Sequence, residues 1–259
     1  MKDISRRDML KMAGTATGIS ALGVNPFSKP ENNSKKASQK TMMVMGGHPG
    51  DPEVCVGGTM ALFAQNGFDV ITAYLNRGEA GVQGKTHEEA AKVRTAEALA
   101  ACKILHSRPV FLTQMDGSSE INEARYNEVY DLLKKESPRL VFAHWPIDSH
   151  RDHRNSSILV YDAWIRMGKS FDLFFYEVEL GKETQNFTPT DYINISTVRE
   201  QKHAASNCHV SQGIEEVFKN SHDLMERLRG MEANYPYAEA FVKHLQSPSN
   251  GLTDILHEA

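Results

Sequence analysis

From Thr41 onward, short apolar runs of β-rich composition alternate with longer stretches of helical periodicity, and that alternation leaves the chain few architectures. The runs Met42 to Met45, Val70 to Leu75, Pro109 to Leu112, Leu140 to Ala143, Leu173 to Val178 and Tyr192 to Ile195 predict strands. Between them, Val56 to Asn66, His87 to Leu105, Asn122 to Lys135 and Asn155 to Met167 predict helices, the second rich in the good helix formers Ala, Glu and Lys. Such alternation implies a mostly parallel sheet with helices on both faces, a Rossmann-like α/β arrangement whose functional loops lie at the carboxyl ends of strands. A chain of 259 residues is long enough to bury a core as a single domain without disulfides or a structural metal. A helical pattern around Thr197 to Asn207 and a more charged stretch from Ile214 to Gln246 complete a domain set at residues 41–246. The tail, 247–259, contains Pro and Gly with little periodicity and is expected to be weakly ordered.

The residues ahead of the domain read as an address. Ser5-Arg6-Arg7-Asp8-Met9-Leu10-Lys11 places two adjacent arginines before a mildly apolar run from Met12 to Val24, the pattern of a twin-arginine signal peptide over residues 1–25. Gly, Thr and Ser interrupt that run, which falls short of the roughly 20 residues that span a bilayer, so no stable transmembrane span is expected. Ala21 and Gly23 suit cleavage, and residues 26–40, mostly Pro, Asn, Ser, Lys and Gln, read as a disordered linker. The twin-arginine export machinery is therefore an expected partner, and the periplasm or cell envelope the expected location. Lys and Arg total 29 against 33 Asp and Glu, and a net charge of -4 gives no basic surplus for nucleic acid. Cys55, Cys102 and Cys208 show no pairing pattern and are expected to be buried thiols.

Two segments carry chemistry. Gly46-Gly47-His48-Pro49-Gly50-Asp51-Pro52-Glu53 follows the first strand, and His48 and Asp51 could both face a metal if the loop curls around it, although Asp51 could instead only cap the next helix. His144-Trp145-Pro146-Ile147-Asp148-Ser149-His150-Arg151-Asp152-His153 follows the fourth strand. His150 and His153, three apart at a helix start, can point to one side, with Asp152 placed to orient an imidazole.

These motifs resemble those of the PIG-L/LmbE-like family of zinc-dependent deacetylases, whose first motif reads His-Pro-Asp-Asp-x-Glu and whose second has a His-x-Asp-His core preceded by Pro-x-Asp. The likeness spans most of Thr41 to Gln212. It implies that Zn2+ is held by His48, Asp51 and His153, that His150 stabilises the developing oxyanion or acts as general acid, and that Asp152 holds His150. It further implies a sugar or glycoconjugate substrate carrying an N-acetyl group. Glu79 in the Asn76 to Gly81 loop, Arg94 ahead of Glu97, and His209 in His209-Val210-Ser211-Gln212 would contact that substrate, with Lys202 also matching the pattern.

One position departs from the family. Where the family has the aspartate that takes a proton from the attacking water, this chain has Gly50. Loss of a general base usually removes about a hundredfold to ten-thousandfold in rate. Glu53, Glu79, Asp152 or His150 could take over the role. Otherwise the metal could serve non-hydrolytic chemistry on a sugar, or the chain could bind carbohydrate or metal without catalysis.

Overall fold

In Met42-Met43-Val44-Met45 every side chain is apolar, and the pleat of a strand sends alternate ones to opposite faces. The computed structural model describes residues 40–179 and 182–257. In it this run is β1 (Thr41–Gly46), with Met42 and Val44 in one apolar cluster and Met43 and Met45 in the other. Parallel to it run β2 (Asp69–Tyr74), β3 (Ser107–Phe111), β4 (Leu140–His144) and β5 (Asp172–Tyr176), while β7 (Ala238–Lys243) lies antiparallel between β5 and β6 (Asp191–Asn194). The order across the sheet is β3-β2-β1-β4-β5-β7-β6.

Helices cover both faces, as the alternation predicts. Residues of α1 (Asp51–Gln65), α2 (His87–Leu105), α5 (Arg199–Ser206) and α8 (Leu252–His257) pack on the Met42 face, and those of α3 (Glu123–Glu136) and α4 (Arg151–Arg166) on the Met43 face. Local chemistry sets their ends. Thr86 and Glu89 cap α2 reciprocally, and α2 stops at His106 in the left-handed conformation. Two short helices, α6 (Ile214–Val217) and α7 (Asp223–Ala233), flank a π-helical turn at Phe218–His222.

The chain winds outward from β1 toward β2 and β3, then returns to place β4 on the other side of β1. The loops after β1 and β4 therefore face each other across the carboxyl edge, the place where an open α/β sheet forms a crevice. Among the described residues no helix is long and apolar enough to cross a membrane.

Two expectations change. The tail is anchored: Leu252 and Ile255 of α8 are 1% and 0% exposed in the Met42-side cluster, and the Leu252 N–H donates to Asp191 Oδ1 at 3.1 Å. Its apolar side chains three apart form a helical stripe too short to stand out beside Pro and Gly. The charged stretch also conceals β7, whose Ala-Glu-Ala-Phe-Val-Lys run is paired on both sides. The signal peptide, and residues 26–39 of the linker, lie outside the described residues.

Candidate metal centre

The site is built where two strands stop. After β1 the chain turns through Gly46 and Gly47 because nothing larger fits: a Cβ on Gly46 would meet Pro52 Cδ at 2.6 Å, and one on Gly47 would meet His153 Cδ2 at 2.9 Å. The turn delivers His48 and then Asp51, the first residue of α1. Asp51 Oδ2 accepts the His48 N–H at 2.8 Å and lies 3.3 Å from His48 Nδ1, 3.4 Å from His153 Nε2 and 3.2 Å from His144 Nε2. Both His150 and His153 come from the start of α4, where His150 is the cap.

The ring nitrogens that face away from Asp51 are held by carboxylates. His48 Nε2 lies 3.1 Å from Asp116 Oδ1 and 3.2 Å from Asp152 Oδ2, while His153 Nδ1 lies 3.2 Å from Asp148 Oδ1. Each imidazole thus keeps one nitrogen, Nδ1 of His48 and Nε2 of His153, directed at the Asp51 carboxylate. Two imidazoles and a carboxylate with carboxylate-backed rings suit a divalent cation such as zinc, because the backing fixes the tautomer and makes the free nitrogen more basic. His48, His150 and His153 also bring ring nitrogens within 4.8 Å of one another, and a carboxylate oxygen of Asp51 lies equally close to ring nitrogens of His144 and His153.

Charge follows the same plan. Burial depresses the His48 imidazole, but the Asp116, Asp152 and Asp51 carboxylates outweigh it and hold His48 well above the usual histidine range. Burial likewise opposes protonation of His153, which Asp51 and Asp148 nevertheless raise to about 9. His144, buried and next to the positive His153, falls to about 4, and His150 is lowered by burial and by His48 and His153. The Asp51 carboxyl is disfavoured by burial yet held well below its ordinary range, chiefly by His153 and His144. Cation binding here must displace protons from His48 and His153.

A cleft of about 550 Å3 opens beside these groups. Its lining combines the apolar side chains of Val54, Cys55, Val178, Ile214 and Val217 with the polar ones of Arg94, Asp116, His150, Glu179 and Glu183. Residues 43–164 match the family model described as GlcNAc-PI de-N-acetylase, PIG-L. That stretch carries the PIG-L pattern. It is similar to a diacetylchitobiose deacetylase of Thermococcus kodakarensis, 26% identical over 212 residues that cover 74% of this chain and 76% of the relative. It is also similar to a 4-oxalmesaconate hydratase of Pseudomonas putida, 23% identical over 207 residues, 73% of this chain and 80% of that protein. Among solved structures, a conserved protein of Thermus thermophilus superimposes with a TM-score of 0.70 at 28% identity, covering 80% of this chain and 96% of its own.

Within the matched stretch the three expected ligands, His48, Asp51 and His153, come together around the Asp51 carboxylate. Asp152 does not hold His150. Its carboxylate accepts from Ser119 Oγ at 2.5 Å, Gly117 N at 2.8 Å and Asn76 Nδ2 at 3.2 Å, and faces His48, whereas its backbone N–H donates to His150 Nδ1 at 3.2 Å. The reason is direction: the helix carries the carboxylate under the β1 loop, away from its own cap. Arg94 lines the cleft, but its guanidinium donates to the Pro49 carbonyl at 2.5 Å and so braces the β1 loop.

Glu79 and His209 are not in the cleft. Glu79 turns back to accept the Arg77 N–H at 3.1 Å and borders a separate surface groove, leaving Ala80 and Gly81 at the cleft mouth. His209 is fully buried behind Gly50. Of the carboxylates considered in place of the missing base, Glu53 accepts from Gly50 N at 3.1 Å and from the Tyr74 hydroxyl, so it props the loop. His144, Asp116, Asp148, Glu179 and Glu183 were assigned no role from the sequence. His144 and Asp148 sit inside the second motif and could have been found there, whereas Asp116 lies in a loop with no motif at all.

Proposed function

We propose that this protein is a zinc-dependent N-deacetylase acting on an N-acetylated sugar or sugar derivative. The observation that carries the reading is the convergence of His48 Nδ1, His153 Nε2 and the Asp51 carboxylate, each ring pinned from behind by a carboxylate, in a PIG-L domain similar to a diacetylchitobiose deacetylase. Zinc in this place would polarise an amide carbonyl and acidify water.

The chain's own groups supply the rest. Because His150 Nδ1 accepts the Asp152 N–H, its neutral ring carries the proton on Nε2 and serves as a donor to the carbonyl oxygen as charge develops there. Arg94 keeps the Pro49 carbonyl, and with it the loop bearing His48 and Asp51, in place. The apolar lining residues, Val54, Cys55 and Val217 among them, suit the methyl of an acetyl group, and the polar ones suit sugar hydroxyls.

A second reading, hydration of an unsaturated acid rather than amide cleavage, is favoured by Gly50 together with the similarity to a 4-oxalmesaconate hydratase. Incubating zinc-loaded protein with N-acetylglucosamine, diacetylchitobiose and 4-oxalmesaconate separates the two. Acetate release from the sugars supports the deacetylase. Loss of the conjugated absorbance, without acetate from the sugars, supports the hydratase and ends the first reading. We also propose export by the twin-arginine route, on the Arg6-Arg7 leader. Replacing both arginines by lysine should leave the protein in the cytoplasm, and unchanged export would contradict that route.

A further inference from the structure

His209 is a buried histidine for which the reading above has no use. Its ring is fully buried, and neither Nδ1 nor Nε2 has a hydrogen-bond partner among the described residues. Orphaned polar atoms at this depth are rare enough to call for an explanation.

The position of the ring gives one. The turn after α5, closed by the His209 N–H to the Ser206 carbonyl at 3.0 Å, sets the imidazole against Gly50. A Cβ built on Gly50 would lie 3.7 Å from His209 Cγ and 3.8 Å from Nδ1, and outside the adjoining residues nothing comes closer. A methyl group at position 50 would stand in ordinary contact with this imidazole, so glycine leaves methyl-sized room between the ring and the loop that carries His48 and Asp51. On the far side of the ring, Nε2 lies 3.6 Å from Glu53 Oε1, and the other oxygen of that carboxylate holds the Gly50 N–H. A carboxylate-backed imidazole thus stands directly behind the one position where this chain lacks the family's base.

We propose that His209, backed by Glu53, is the proton acceptor that replaces the missing carboxylate at position 50, reaching the cleft through a water in the gap beside Gly50. The inference rests on the deacetylase reading. In the step it describes, the attacking water forms a bond from its oxygen to the amide carbon, and its proton passes through the intervening water to His209 Nδ1. When the C–N bond breaks, its electron pair stays on nitrogen, which takes the proton back from His209, so that acetic acid and a free amine leave and the imidazole is neutral again. Glu53 Oε1, 3.6 Å from Nε2, faces the ring throughout both transfers.

The test uses the full chain and reads the ring itself as well as turnover. The ring nitrogens of His209, assigned through the backbone, are followed by 15N–1H NMR as the metal-free protein is loaded with zinc and then given acetohydroxamic acid. His209→Gln is compared with wild type for bound zinc, thermal midpoint and amine release from N-acetylglucosamine and diacetylchitobiose. We expect the His209 signals to shift at both additions, and His209→Gln to keep its zinc and midpoint while amine release falls by about a hundredfold or more. Ring signals unmoved by zinc and hydroxamate, or wild-type release by His209→Gln, would overturn the proposal. If His209→Gln does not fold, the ring signals of the wild type decide. A wild type that binds zinc, moves the His209 signals and releases no amine sinks the deacetylase reading while leaving His209 as the site's proton acceptor for another reaction.

Discussion

Asp148 touches no atom that would contact a metal directly, yet its Oδ1 at 3.2 Å from His153 Nδ1 decides which nitrogen of that ring is free. Removing its charge with Asp148→Asn should weaken zinc binding by about 10- to 100-fold while the fold persists, a result that competition with a chromogenic chelator would read. Gly50 has a different sensitivity. Its φ of 111° lies where only glycine is comfortable, although a Cβ there meets nothing closer than 3.7 Å. Gly50→Ala should therefore cost about 1–3 kcal/mol by urea denaturation through backbone strain rather than through crowding. The same strain would act on an aspartate, so this glycine belongs to the loop's shape as well as to its chemistry. At this scale the sequence is most legible for the placing of His48, Asp51 and His153 after two apolar strands, while the choice of these three as ligands comes from the family resemblance rather than from spacing. Asp116 and His209 were less so, since which atoms they face depends on the packing of separate segments, and no spacing in the chain records that.

Between elements, Lys202 of α5 is the joint that holds the C-terminal third to the sheet. Its Nζ lies 2.9 Å from Glu226 Oε1 of α7 and 2.9 Å from Glu239 Oε1 of β7, and the Glu239 carboxylate also accepts the Gly58 and Thr59 N–H groups of α1 at 2.8 Å each. All three side chains are buried. Burial opposes the charge on Lys202, but Glu226 and Glu239 raise it above the ordinary lysine range. Lys202→Met would leave the Glu239 carboxylate buried without its cation, while Glu226 keeps Arg199 Nε at 2.8 Å, and about 3–5 kcal/mol should be lost, seen as a lower thermal midpoint. This joint explains why β7 escaped the sequence reading. A charged residue in the middle of Ala238–Lys243 argues against a buried strand until the lysine that neutralises it is known. The parallel strands beside β1 carry no such conflict, and their apolar runs could be read directly.

For the molecule as a whole, the tail and the acid response are the places where the parts act together. Deleting residues 248–259 would expose the core that Leu252 and Ile255 cover and remove the Ser249 N–H from Asp172 Oδ1 at 2.7 Å. At about 1.5–3 kcal/mol for each buried aliphatic side chain, the truncated chain should unfold at clearly lower urea concentration. His222 links stability to pH. It is 4% exposed, and burial, with nearby Lys202 opposing a second positive charge, lowers its pKa from 6.5 to about 3. Above pH 6.5 the ring is neutral whether folded or unfolded and has no effect. As pH falls from 6.5 toward 3 the unfolded chain takes the proton and the folded one does not, so stability drops by up to about 1.4 kcal/mol per pH unit. His222→Gln should flatten that limb in urea titrations at stepped pH, and an unchanged slope would contradict the assignment.

The proposed N-deacetylase requires a zinc ion held by His48, Asp51 and His153 for amide cleavage. The most direct test is amine release from N-acetylglucosamine and diacetylchitobiose as zinc is titrated back into chelator-stripped protein, for the wild type and for Asp51→Asn. Release should rise with zinc and saturate at one equivalent in the wild type, with none restored in the variant. Release that is indifferent to zinc, or equal in Asp51→Asn, would contradict it.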